Sequence, residues 1–134
     1  MSLKIKNKII LSWPDIQDLV NEICKRIPEI TPSITSVHGL KRGGLIPAVM
    51  ISHKLGIPYT DVVYENTLIV DDICDTGETL IGQIGVYTAV LVYKPNTSKF
   101  KPNIWGNIHE GDEYIVFPWE NVNAKPIAGY LDKN

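Results

Sequence analysis

Three aspartates and a glutamate crowd one short stretch of this chain. Asp71, Asp72, Asp75 and Glu78 stand at the end of the apolar run Thr-Leu-Ile-Val (67–70). Two carboxylates about 5 Å apart repel by roughly 3 kcal/mol at an effective dielectric of 20. The segment contains no lysine or arginine to offset that. The cluster therefore needs hydroxyl donors, a metal ion or basic partners from elsewhere in the chain. Adjacent carboxylates can grip the two hydroxyls of a ribose, and oxygen ligands suit Mg²⁺. Thr76-Gly77-Glu78-Thr79 follows directly. Successive backbone N–H groups there can form an anion nest. Gly77 lets the backbone come close, the threonine hydroxyls donate, and a helix N-terminus attracts negative charge. A sugar-diol site and a phosphate site thus lie side by side, as a ribose 5-phosphate requires.

A second anion site is legible in GLKRGGLIP (39–47). Lys41-Arg42-Gly43-Gly44 joins a strand to a helix. Arg42 supplies a planar fork of donors suited to phosphate, and the bare glycine N–H groups add to it. Taken alone, the loop reads equally as a tight turn with a solvated basic pair.

These segments need elements to hold them. Ser12 reads as an N-cap, with Pro14 and Asp15 in the first turn. Ile16, Leu19, Val20, Ile23, Cys24 and Ile27 recur at three- and four-residue steps, which predicts an amphipathic helix ending before Pro28. Short strands are predicted over 33–38, 59–63 and 67–70, and a strong one over 87–93. Helices are predicted over 45–55, closed by Gly56, and over 77–84. Residues 95–103 read as a polar loop and 114–117 as a last apolar piece. Strands alternate with helices, and the inner strands are apolar throughout. That predicts an α/β fold with a mostly parallel twisted sheet flanked by helices. Ligands bind such sheets at the carboxyl ends of the strands, where the acidic and glycine loops fall.

The string LIVDDICDTGETL (68–80) resembles, almost position by position, the phosphoribosyl pyrophosphate (PRPP) signature of the type I phosphoribosyltransferases. The likeness extends over 11–120. It includes the glycine loop, a tryptophan-containing start to the first helix (LSWPDIQDL), a strand ending in Lys94-Pro95, and the stretch YIVFPWE (114–120). These are similar to the xanthine-guanine branch. The resemblance implies that Asp71 and Asp72 hold the ribose hydroxyls and that Asp75, Thr76, Gly77, Glu78 and Thr79 hold the 5-phosphate. It implies pyrophosphate at Lys41, Arg42, Gly43 and Gly44. The base falls to Lys94, Tyr114 and the backbone of Ile115, with Asp75 accepting or relaying a proton. Asp72 and Glu120 would face Mg²⁺. By themselves, Lys94 reads also as a surface lysine and Tyr114 as a core aromatic. The fold implied adds a small hood built from the N- and C-terminal segments. The activity implied is transfer of the phosphoribosyl group from PRPP to a 6-oxopurine. The alternatives are a phosphoribosyltransferase for another base and a non-catalytic PRPP or nucleotide sensor. One departure favours the sensor. Relatives carry a long flexible loop before the PRPP strand, and here about three residues, 64–66, stand in its place. Val116 and Phe117 also lack the polar side chains a relative uses nearby.

The whole chain fits that frame. Its 134 residues suit a single domain, 1–134. Thirteen basic and fifteen acidic residues leave a formal charge of −2, which gives no footprint for nucleic acid or an anionic membrane. Cys24 and Cys74 have neither disulfide-framework nor metal-ligand spacing, and no apolar run reaches the roughly 18 residues a membrane span needs. The expectation is a cytoplasmic protein, homo-oligomeric as its relatives are, acting on small molecules. His38, His53 and His109 read as structural or surface residues, and Trp13, Trp105 and Trp119 as packing.

Overall fold

In the computed structural model, residues 2–30, 33–82 and 87–121 are described. Two strands open the chain, β1 (Leu3–Ile5) and β2 (Lys8–Ile10), followed by helix α1 (Trp13–Ile30). Then come β3 (Ser36–Gly39), α2 (Leu45–Leu55), β4 (Thr67–Cys74), α3 (Glu78–Ile81), β5 (Tyr87–Tyr93), β6 (Ile104–Ile108) and β7 (Tyr114–Val116). The central sheet has the order β3-β4-β5-β6, and every pairing in it is parallel. A second sheet, β1-β2-β7, joins the chain's start to its later part, with β2 parallel to β7. This is the α/β fold expected, with the small sheet as its hood.

The helices form where their local chemistry directs. Ser12 Oγ accepts from the Asp15 N–H, and Asp15 Oδ2 accepts from the Ser12 N–H, a reciprocal cap on α1. Ile16, Val20, Ile23, Cys24 and Ile27 of α1 are buried with Val37, Leu68, Val70, Ala89, Leu91 and Ile104 of the sheet. Gly106 lets α1 approach, since a Cβ there would stand 2.8 Å from the Leu91 carbonyl and 3.0 Å from Leu19. Ala48 and Ile51 bring α2 onto the same face. Among the described residues the other face is covered by Leu80 of α3 and by Leu40, Phe100 and Trp105 around Ile69, Val90 and Tyr93.

Several expectations need correction. Helix α1 runs through Pro28 to Ile30, because a proline in the last turn forfeits only its own bond to the Cys24 carbonyl. Strand β4 continues past Val70 to Cys74, since β5 still offers partners: Asp71 pairs with Val90 and Cys74 with Tyr93. Asp71 and Asp72 thus lie within the strand rather than after it. The strand expected over 59–63 is reduced to one bridge, Tyr59 to Val37. There the Thr60 hydroxyl donates to the Val62 carbonyl and accepts from the Val62 N–H, turning the chain back toward β4. Helix α3 has four residues, and 83–84 of its expected span lie outside the described residues. The hairpin β1–β2 and strand β6 had no clear signal: the first is two three-residue strands, and the second carries a glycine, Gly106, at its centre.

Candidate functional site

The acidic strand end and the glycine loop meet. From β3 the chain enters 40–44, where the Leu40 N–H donates to the Val70 carbonyl at 2.9 Å and the Gly44 N–H to the Leu40 carbonyl at 2.8 Å. The Lys41–Arg42 peptide is cis. A Cβ on Gly44 would lie 2.2 Å from the Val70 carbonyl oxygen, and one on Gly43 would lie 2.0 Å from Asp72 Oδ2. The loop is therefore laid directly on β4 beside the aspartates, and only glycine permits it.

Asp71 and Asp72 are half-buried. The Asp72 N–H donates to Asp71 Oδ1 at 2.9 Å, and the Ile73 N–H to Asp72 Oδ1 at 2.8 Å. Burial pushes the Asp71 carboxyl well up, and the Asp72 charge pushes it further. Burial also raises Asp72, against the lowering effect of its hydrogen bonds with Asp71 and Ile73. Such a pair favours a ligand that brings donors or a cation.

The segment after β4 is clasped from one side. The Lys94 N–H donates to the Cys74 carbonyl at 2.9 Å, the Thr97 hydroxyl to the Asp75 carbonyl at 2.9 Å, and the Lys99 N–H to the Thr76 carbonyl at 2.9 Å. In a trans peptide the N–H points opposite its C=O. The N–H groups of Asp75, Thr76 and Gly77 are thereby turned away from the clasp, which is the geometry of an anion nest. Gly77 has φ of 85°, and a Cβ there would meet Phe100 Cβ at 2.7 Å. With α3 only four residues long, positive character at this turn can come from the oriented N–H groups rather than from a helix dipole. Glu78 and Thr79 begin α3, and Thr76 Oγ1 accepts from the Glu78 N–H at 3.3 Å.

The hood reaches the same opening. Burial raises the Tyr114 hydroxyl, and the charges of Glu120 and Asp72 raise it further. Burial raises Glu120 most; its bond from the Phe117 N–H lowers it, Asp72 raises it and Arg42 lowers it. Glu120 therefore lies within electrostatic reach of Tyr114, Asp72 and Arg42, and Tyr114 within reach of Asp72. Lys94 is only 6% exposed, and its Nζ donates to the Glu113 carbonyl at 2.8 Å, next to Tyr114. Glu113 in turn joins Lys4 of β1 at 2.8 Å and His109 at 2.9 Å, and these partners hold its carboxyl down at about 2. Ile115 is buried, and it lines a cavity of about 330 Å³ that also touches Leu11, Leu19 and Val92. Among the described residues no cluster of three or more His, Cys, Asp or Glu could hold a metal ion by itself. Asp72 and Glu120 offer two carboxylates, which fits a Mg²⁺ that arrives with phosphate ligands.

No family model matches the chain. It is 26% identical to the xanthine-guanine phosphoribosyltransferase of Idiomarina loihiensis, over 91% of this chain and 94% of that one. A purine phosphoribosyltransferase from Pyrococcus horikoshii has a matching structure, with a TM-score of 0.76 and 27% identity over 90% of this chain and 99% of that one. A Neisseria gonorrhoeae protein solved with bound ppGpp has a TM-score of 0.69 at 20% identity, covering 98% and 95%. In sequence and in fold the chain is similar to purine phosphoribosyltransferases.

From the Tyr59 bridge to Thr67 at the start of β4, the chain is described throughout and makes only a turn, leaving Tyr64 60% exposed. No long flexible loop intervenes. The histidines stay outside the opening: His38 bonds the Thr60 carbonyl, His53 is exposed and His109 faces Glu113. Trp13 and Phe117 pack on Trp119, and Trp105 on Tyr93, as packing residues should. Sequence reasoning missed the clasp residues Thr97 and Lys99, Ser98 and Phe100 packed beside Gly77, and the link residue Glu113. A Thr-Ser pair in a polar loop gives no local hint of its distant partner.

Proposed function

We propose that this chain transfers the 5-phosphoribosyl group from PRPP to a 6-oxopurine base and releases pyrophosphate, acting as one domain. One observation carries the reading: Gly43 of the glycine loop abuts Asp72 of the acidic strand, which would let two anion sites flank a diol site. That spacing suits one molecule with phosphate at both ends of a ribose. The N–H groups of Asp75, Thr76 and Gly77, with Glu78 and Thr79 at the start of α3, would cradle the 5-phosphate. Asp71 and Asp72 would accept from the ribose hydroxyls. Lys41, Arg42 and the Gly43 and Gly44 N–H groups would stabilise the departing pyrophosphate. Mg²⁺, borne by the pyrophosphate and facing Asp72 and Glu120, would supply further neutralisation. Tyr114 would stack on the purine, the Ile115 backbone would meet its edge, and Lys94 would turn from the Glu113 carbonyl to the base oxygen. As the C1–oxygen bond to pyrophosphate breaks and the C1–nitrogen bond forms, Asp75 would take the base nitrogen's proton. The named relatives support the purine branch.

The test mixes protein, PRPP and Mg²⁺ with guanine, xanthine or hypoxanthine and follows nucleotide formation. Turnover that depends on the base and falls by roughly 100-fold or more in Asp75→Asn is expected. No turnover with any base refutes the proposal. A second reading, a nucleotide- or PRPP-binding regulator, is favoured by the absent loop, since loops of that kind exclude water during chemistry. The ppGpp-bound neighbour shares the fold. Saturable PRPP binding without turnover selects this second reading.

A further inference from the structure

The Thr97 hydroxyl donates to Asp75 Oδ1 at 2.6 Å and to the Asp75 carbonyl at 2.9 Å. Both residues are exposed, so this bond is not a core contact. Thr97 also closes a turn on Lys94, its N–H donating to the Lys94 carbonyl at 3.3 Å, while the Lys94 N–H donates to the Cys74 carbonyl at 2.9 Å. The four residues form a closed ring of bonds. It joins the carboxylate that the reading above assigns to the base nitrogen and the lysine assigned to the base oxygen.

We propose that Thr97 is a positioning residue: its hydroxyl occupies one carboxylate oxygen of Asp75, aims the other at the base, and fixes the spacing between Asp75 and Lys94. The inference rests on the transferase reading. An exposed carboxylate otherwise samples several rotamers, and these would meet a purine held at Lys94 at different angles. A short bond from a neutral hydroxyl to a charged oxygen selects one rotamer without neutralising the acceptor. The second acceptor, the Asp75 carbonyl, holds the same hydroxyl in place when the side chain turns.

The test uses the full chain and compares Thr97→Val, which keeps the shape and loses the hydroxyl, with Thr97→Ser, which restores it. Thr97→Val is expected to lower kcat roughly 10- to 100-fold, the scale of a small misplacement of a catalytic group. The KM for PRPP should change less than kcat, because the Lys94 and Lys99 N–H groups still clasp the Cys74 and Thr76 carbonyls on either side of the lost bond. Thr97→Ser is expected to return kcat to within about 2-fold of wild type. Wild-type kcat in Thr97→Val overturns the inference while leaving the transferase reading intact. A serine variant as impaired as the valine variant also overturns it, since packing rather than the hydroxyl would then matter. A wild-type protein that binds PRPP but turns over no base overturns both.

Discussion

Gly43→Ala tests the junction of the two loops. The added methyl would stand 2.0 Å from Asp72 Oδ2 and 2.4 Å from Asp72 Cγ, where ordinary contact begins at 3.4 Å. Something must retreat by about 1.4 Å. Asp72 belongs to a central strand and its Oδ1 accepts from the Ile73 N–H, so moving its carboxylate breaks that bond. The alternative is to lift the loop, which breaks the bond from Leu40 to the Val70 carbonyl. Either way about one hydrogen bond is lost, roughly 1–3 kcal/mol of stability, and the Tm falls by about 3–10 °C. The functional loss is larger in kind, because the diol site and the pyrophosphate site move apart. PRPP binding with Mg²⁺ should weaken on the order of 10- to 100-fold, or about 1.4–2.7 kcal/mol. Isothermal titration calorimetry reads the affinity and a thermal melt reads the stability. Gly82→Ala is the control: its Cβ meets nothing within 4 Å, and the φ of −85° suits alanine. It should bind as wild type and melt no lower. If Gly43→Ala binds PRPP with wild-type affinity, the two loops do not hold one ligand, and the proposed site is wrong.

Gly77→Ala should be more damaging to the fold. It combines a left-handed backbone, costing about 1–2 kcal/mol, with overlap against Phe100 and Ser98 costing roughly 1–3 kcal/mol more. A melt lowered by about 10 °C is expected, and an unchanged melt would contradict the described clasp. Asp71→Asn should act the opposite way. Burial raises the folded carboxyl above its unfolded value near 3.9, so the unfolded chain releases its proton first as pH rises. Stability is therefore full below about pH 3.9 and falls as pH climbs through the folded value. The asparagine can still accept from the Asp72 N–H. At neutral pH it should melt about 3 °C or more above wild type, with a flatter pH profile and impaired PRPP binding. A variant no more stable than wild type would show that burial does not strain this carboxylate.

The sequence alone determined the chemistry-bearing segments and the class of fold. Leu68, Ile69 and Val70 followed by paired aspartates, Gly77 after a threonine, and Gly43 beside Arg42 are contiguous signals. Each acts through residues within a few positions of itself, so no tertiary knowledge is needed to read it. The helix over 45–55 and the strand over 87–93 were legible for the same reason, one closed by Gly56 and the other apolar along its whole length. What the tertiary structure decided is which segments meet. Strand β4 extends through Asp71 and Asp72 because β5 pairs with it there, a fact absent from either strand's own residues. Thr97 finds Asp75, Glu113 finds Lys4, and Tyr114 comes within reach of Asp72 through pairings between parts of the chain far apart in sequence. Short strands such as β1, β2 and β7 are too weak in propensity to announce themselves, and they form because neighbours complete their ladders. Local chemistry is written in adjacent residues, whereas the geometry between two loops depends on the packing of everything beneath them.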